Sequence, residues 1–185
     1  MSAFHYSVAR ARSSVLLNIG LFQAGWWACV LSAAHHRAAQ AALALAAAVA
    51  MLVVIHVAPL RTLLLALYCL LLGAIIESAF VASHVTAYPG SMASMPGHAP
   101  LWMAGLWALF STTLDVSLSW LKGRALLGST LGAAAGALSY AAGARLGALV
   151  LPSRYSLWAI AAVWALVLPL LVEFANRPQR AEPAP

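Results

Sequence analysis

Apolar residues gather into six long runs, separated by short polar or Pro/Gly-containing stretches. The runs are Val15–Ala34, Ala38–Val57, Thr62–Ser83, Pro100–Trp120, Leu126–Leu151 and Tyr155–Ala175. Each is close to the ~20 residues that an α-helix needs to cross a hydrocarbon core. The breaks are His35-His36-Arg37, Pro59 with Arg61, and the loop VTAYPGSMASMPGHA, followed by Lys122-Gly123-Arg124 and Pro152–Arg154. The predicted fold is therefore an all-α integral membrane bundle of six transmembrane helices. Residues 1–14 form an N-terminal segment, 15–175 the transmembrane domain, and 176–185 a disordered tail. Pro169 is expected to kink the sixth helix unless neighbours bond the carbonyl it frees.

Composition agrees with this division. Of 185 residues, 64% are hydrophobic and 8% charged, with a mean hydropathy of +0.90, against about 25% charged in a soluble domain. The net charge of +6 is spread as single basic residues at helix ends. It lacks the clustered face that nucleic-acid binding requires, so no nucleic-acid partner is expected.

Arg10 and Arg12 precede the first run, and Ser32-Ala33-Ala34 at its end resembles a leader cleavage site. The run is longer than a leader's apolar region and holds Asn18, Gln23, Trp26 and Trp27, so a retained helix is expected. Alternating the six helices puts Arg10, Arg12, Arg61, Lys122, Arg124, Arg177 and Arg180 on one side. Arg37 and Arg154 lie on the other, with Arg145 near it. The positive-inside rule then predicts a bacterial inner-membrane protein with both termini cytoplasmic. Trp102, Trp120, Tyr155 and Trp158 fall near segment ends, as an aromatic belt requires.

Three ionisable residues lie within the runs: Glu77, Asp115 and Arg145. Glu77 and Arg145 share a depth near the outer ends of the third and fifth helices, which predicts an intramembrane ion pair. Such a pair serves either to lock two helices together or to form a functional site. His56 and Asp115 share a depth near the inner ends of their helices and make a second candidate polar site. Asn18 and Gln23 are about 140° apart around their helix. Ser139 and Tyr140 could complete a polar core with Gln23.

The fifth run carries Gly128, Gly132 and Gly136 at intervals of four, then Gly143 and Gly147. That spacing predicts a small-residue packing face, within the bundle or between copies of the chain in a homo-oligomer. Cys29 and Cys69 are expected to be buried small hydrophobes, too far apart to pair. His35, His36, His84 and His98 collect on the outer side with Met92 and Met95. They lack compact ligand spacing, and no metal or cofactor is expected.

Several stretches together resemble a family of small polytopic bacterial membrane proteins classed as a domain of unknown function. They are Asn18-x-x-x-Phe22-Gln23-x-Gly25-Trp26-x-x-Cys29, Pro100-Leu101-Trp102 and Leu106-Trp107-x-Leu109-Phe110-x-Thr112-Thr113-Leu114. Ser117-Leu118-x-Trp120-Leu121-x-Gly123-Arg124 and Leu138-Ser139-Tyr140-x-x-Gly143-x-Arg145-Leu146-Gly147 complete the set. The family pattern is associated with aspartate where this chain has Glu77. The resemblance implies no activity. It does imply proximity to fatty-acid-modifying and flavin enzymes in stress-response gene clusters, which is association and not mechanism.

Polar residues and aromatics together give a candidate ligand site of Gln23, Trp26, Glu77, Trp107, Thr112, Tyr140 and Arg145. The expected function is an accessory protein binding membrane lipid or a hydrophobic small molecule, with Arg145 on an anionic headgroup. The alternatives are a small proton-coupled transporter and an intramembrane enzyme using Glu77 or Asp115.

Overall fold

A computed structural model of the chain describes residues 2–37, 45–46, 49–50, 59–88 and 97–177, with backbone alone for 2–14. Five α-helices occur among these residues: α1 (Ser2–Ala34), α2 (Pro59–Ala82), α3 (Leu101–Ser111), α4 (Ala125–Arg145) and α5 (Ser156–Ala175). A 3-10 turn, Ser119–Leu121, lies between α3 and α4. Four helical stretches are long and apolar enough to cross a membrane: Val15–Ala34 within α1, and α2, α4 and α5. They mark a multi-pass membrane protein. Along α2 the exposed side chains include Leu60, Leu63, Leu64, Leu67, Leu71 and Ile75, an arrangement that suits lipid and not water.

Six spanning helices are not seen among the described residues. The expected second segment, Ala38–Val57, falls largely outside them, as does the tail beyond Arg177. The expected fourth segment, Pro100–Trp120, is helical only to Ser111, a rise of about 16 Å. From there Thr112, Thr113 and Leu114 bond back three residues, to Leu109, Phe110 and Ser111. The hydroxyls of Ser111, Thr112 and Thr113 each donate to the carbonyl three residues earlier, all at 2.7 Å. Three such hydroxyls in a row compete with the α-helical ladder, and the chain tightens into turns.

Irregular backbone inside a membrane protein must be satisfied by protein. Two asparagines do this. Asn18 of α1 donates to Thr112 O at 2.9 Å and accepts from the Ser117 hydroxyl at 2.8 Å. Asn176, at the end of α5, donates to Leu114 O at 3.0 Å.

Helix starts and stops also differ from the expected boundaries. α1 is helical from Ser2, since neither proline nor glycine interrupts residues 2–14. Pro59 opens α2, as suits a residue whose missing N–H costs nothing in a first turn. α4 stops at Arg145, short of Leu151. There Ala148 N bonds Gly143 O at 3.0 Å and Gly147 N bonds Ala144 O at 3.1 Å, around Gly147 at φ +85°. This is a Schellman stop, with glycine in the left-handed position. α1 and α2 end the same way, with His36 (φ 59°) and His84 (φ 55°) in that position. Two of the histidines expected on the outer side, His36 and His84, are thus helix-terminating residues.

α2 packs on α3, α4 on α5, and α1 against α3. At one end of the bundle, Ala87 after α2 forms an antiparallel bridge with Val150 after α4. Cys29 Sγ of α1 lies 4.0 Å from Trp102 O near the start of α3; both cysteines are buried and free. At the opposite end Arg61 of α2 bonds Ala175 O, and Lys122 Nζ bonds Asn176 O at 2.8 Å. Glu173 there accepts from Gly123 N. The residues Arg61, Lys122, Arg124 and Arg177 therefore share one end of the bundle.

Glycines set the distances between the helices. A Cβ on Gly132 would lie 2.3 Å from Trp164 O, and one on Gly136 would lie 2.4 Å from Trp164 Cγ. One on Gly128 would meet Pro169 Cβ at 3.3 Å. The ladder is a packing face, used here within one chain to seat α5. α5 continues through Pro169 as a single helix.

Candidate functional site

Two tryptophans from different helix pairs meet at the centre. Trp107 of α3 is seated over Gly73 of α2, where a Cβ would lie 2.3 Å from the indole Cγ. Trp164 of α5 is seated over Gly136 of α4. The two indoles stack, with centroids 4.8 Å apart and planes at 26°. Phe110 stands edge-on to Trp164 at 5.3 Å, and Phe22 of α1 stands edge-on to Phe110 at 6.2 Å. Aromatic pairs favour such geometries, and each adds about 0.5–1.5 kcal/mol beyond the area it buries.

Behind this wall lies Glu77, with no solvent exposure. Its Oε1 accepts from Trp107 Nε1 at 2.9 Å and from the Tyr140 hydroxyl. Its Oε2 accepts from the Tyr88 hydroxyl at 3.2 Å. α3, α4 and the connection after α2 thus each supply one donor, as a buried carboxyl group requires. Burial first, and then the adjacent Glu77 carboxylate, push the Tyr88 phenol well above its usual range. Tyr88 therefore stays a donor at any physiological pH.

In front of the stacked indoles is a cavity of about 530 Å³. α1 lines it with Phe22, Gln23, Trp26 and Trp27, and α3 with Met103, Leu106, Trp107 and Phe110. From α4 come Gly132, Ala135, Gly136, Leu138, Ser139 and Tyr140, and from α5 Trp164 and Leu168. Trp164 Nε1 is buried beside Tyr140 without a hydrogen bond of regular geometry. The volume falls inside the range of small-molecule sites, about 300–1,000 Å³.

The structure brings together Gln23, Trp26, Trp107 and Tyr140, with Ser139 as the expected neighbour of Gln23. Glu77 belongs to the same cluster but sits one side chain behind the wall. Thr112 does not join it: its hydroxyl bonds Leu109 O and its carbonyl accepts from Asn18. Arg145 does not join it either. It is exposed, and no hydrogen bond or ion pair links it to any described residue. The expected Glu77–Arg145 pair is replaced by Glu77 with Trp107, Tyr140 and Tyr88. The cause is azimuth: Arg145 follows Tyr140 by five residues, about 140° around the helix. Equal depth did not mean a shared face.

The second candidate site divides as well. His56 lies outside the described residues. Asp115 lies 3.7 Å from Arg61, its side chain 7% exposed against 35% for the arginine. Sequence reasoning overlooked Tyr88 and Trp164 as site residues. Gly136 carried a signal for Trp164, since a gap in one helix face implies a large side chain on its neighbour.

Residues 15–170 match the family described as "Protein of unknown function (DUF2878)". The chain belongs to that family. The match takes in every residue named around the cavity, and Glu77 with its three donors Tyr88, Trp107 and Tyr140. Neither a curated protein nor a solved structure matches the chain.

Proposed function

We propose that this DUF2878 chain is a bacterial inner-membrane protein that holds a membrane lipid or hydrophobic small molecule in the aromatic cavity. The carrying observation is the cavity itself: 530 Å³ of space between candidate membrane spans, walled by side chains that suit an apolar occupant. The proposal retains six crossings and cytoplasmic termini. The shared end of Arg61, Lys122, Arg124 and Arg177 supports that orientation through the positive-inside rule.

Transport is the second reading, favoured by the break after α3, since broken helices line many transporter sites. The bonding at the break weighs against it. Thr112 O accepts from Asn18, Leu114 O from Asn176, and Thr113 O from the N–H groups of Val116 and Leu118. These carbonyls are occupied by protein and not presented to an ion. Glu77 likewise has both oxygens engaged, as befits a wall support.

Native mass spectrometry of protein purified in mild detergent tests the binding reading. Ala135→Phe fills the cavity from α4, whereas Leu166→Phe adds the same bulk on an exposed face. Co-purified ligand should fall about tenfold for Ala135→Phe, a loss of about 1.4 kcal/mol, and stay unchanged for Leu166→Phe. Equal retention by both variants overturns the reading.

A further inference from the structure

Hydrogen-bonding groups in the cavity wall select among hydrophobic ligands. Gln23, near the middle of the α1 span, and Ser139 of α4 both line the cavity. Neither side chain bonds to any described residue. Ser139 forgoes even the bond to its own helix that Thr130 makes on α4, to Leu127 O at 3.0 Å. Trp164 Nε1 also lacks a regular hydrogen bond, but it is covered by protein beside Tyr140. Trp107 Nε1 and the Tyr140 hydroxyl donate to Glu77 behind the wall. The polar groups left for an occupant are therefore the Gln23 amide and the Ser139 hydroxyl. Hydrocarbon around the bundle offers such groups nothing, and leaving them alone there is penalised.

Charge is missing from the same wall. None of the described lining residues is aspartate, glutamate, lysine, arginine or histidine. Residues 38–58 and 89–96 add no acid, lysine or arginine. An ion of either sign would thus leave water without a counter-ion, which is costly. The indoles of Trp107 and Trp164 stack on each other and sit over Gly73 and Gly136, so those faces are closed to a cation. Arg145, expected to hold an anionic headgroup, is exposed and outside the lining. We infer that the cavity takes an uncharged lipid whose head both donates and accepts hydrogen bonds, a hydroxyl or carboxamide on an alkyl tail. The inference rests on the cavity being a ligand site, as proposed above. Amide and hydroxyl side chains each offer a donor and an acceptor, and a head with both can satisfy the two together. The tail would run along the aliphatic lining of Met103, Leu106 and Leu168.

The test uses the full chain in phosphatidylcholine nanodiscs and follows tryptophan fluorescence during titration with probes that share a ten-carbon chain. They are decanol, decane, decyltrimethylammonium and decyl sulfate, with affinities expressed per mole fraction of probe in the bilayer. Decanol should bind saturably and about tenfold more tightly than decane, with both ions weaker than decanol. Neither Gln23 nor Ser139 has a described partner to lose, so the double variant Gln23→Leu, Ser139→Ala should keep the fold. It should cut the preference for decanol over decane to about twofold or less and leave decane binding unchanged. Should the double variant fail to fold, Gln23→Leu alone decides, with a loss of about threefold in decanol affinity. Either ion binding as tightly as decanol, decane matching decanol on wild type, or the preference surviving in the deciding variant overturns this inference. Each of those outcomes leaves the ligand-site reading standing. Absence of saturable binding by every probe overturns both.

Discussion

The indole of Trp164 lies directly on Gly136: a methyl group added to that glycine would come within 2.4 Å of the indole Cγ. Nothing flexible is available to give way, because the indole's far side stacks on Trp107. Gly136→Ala should therefore destabilise the protein by about 1–3 kcal/mol, the usual range for overpacking a filled interior. Thermal unfolding in detergent, followed by tryptophan fluorescence, should show a lowered Tm. Ala at Gly20, where a Cβ meets nothing within 4 Å, should leave Tm unchanged.

Glu77 separates two kinds of substitution. Glu77→Leu removes the acceptor for Trp107, Tyr140 and Tyr88 together, and each buried donor left alone costs about 1–3 kcal/mol. Glu77→Gln preserves one carbonyl oxygen where the first two converge. The leucine variant should have the lower Tm of the two in the same detergent. A leucine variant as stable as wild type would mean that the three hydrogen bonds are not structural.

Asn18 predicts a local effect. With Asn18→Leu, Thr112 O loses its Asn18 donor and the Ser117 hydroxyl keeps only its 3.5 Å bond to Thr113 O, so the turns after α3 lose support at a cost of about 1–3 kcal/mol. Amide hydrogen exchange in nanodiscs should accelerate over residues 112–118 and stay near wild type in α4.

Arg145 predicts silence. Being exposed, at the C-terminus of α4 where a cation suits the helix dipole, Arg145→Ala should shift stability by about 0.5 kcal/mol or less. The ligand retained through native mass spectrometry should match wild type. Lost retention would return Arg145 to the site.

Orientation is checked with cysteine labelling. Cys29 and Cys69 are buried and free, so an introduced exposed cysteine reports alone. Ser153→Cys should react with a membrane-impermeant maleimide in intact cells, and Gly123→Cys only after permeabilisation.

These predictions show where the sequence could be read and where it could not. The glycine ladder was legible because spacing four apart puts small residues on one face whatever the neighbour is. Gln23, Ser139 and Tyr140 were legible as a group because polar residues within apolar runs must turn inward. Glu77 was legible as buried, but its partner was not. Depth along a helix follows from counting residues, whereas azimuth relative to other helices is set by packing that no single sequence displays. The break after Ser111 was hidden for a different reason. Residues 112–118 include neither proline nor glycine, and the apolar run continues beyond them. The three consecutive hydroxyls of Ser111, Thr112 and Thr113 were the available signal.

The buried carboxyl group of Glu77 also imposes an order on the chain's assembly. Tyr140, one of its donors, is made 63 residues later. Until α4 enters the membrane, a newly made α2–α3 hairpin carries a polar group short of that donor in an environment that penalises the deficit. A nascent chain arrested before Ala125 should thus stay within crosslinking reach of the insertion machinery, and one arrested beyond Ala175 should be released. Replacing Glu77 with leucine should free the shorter chain early.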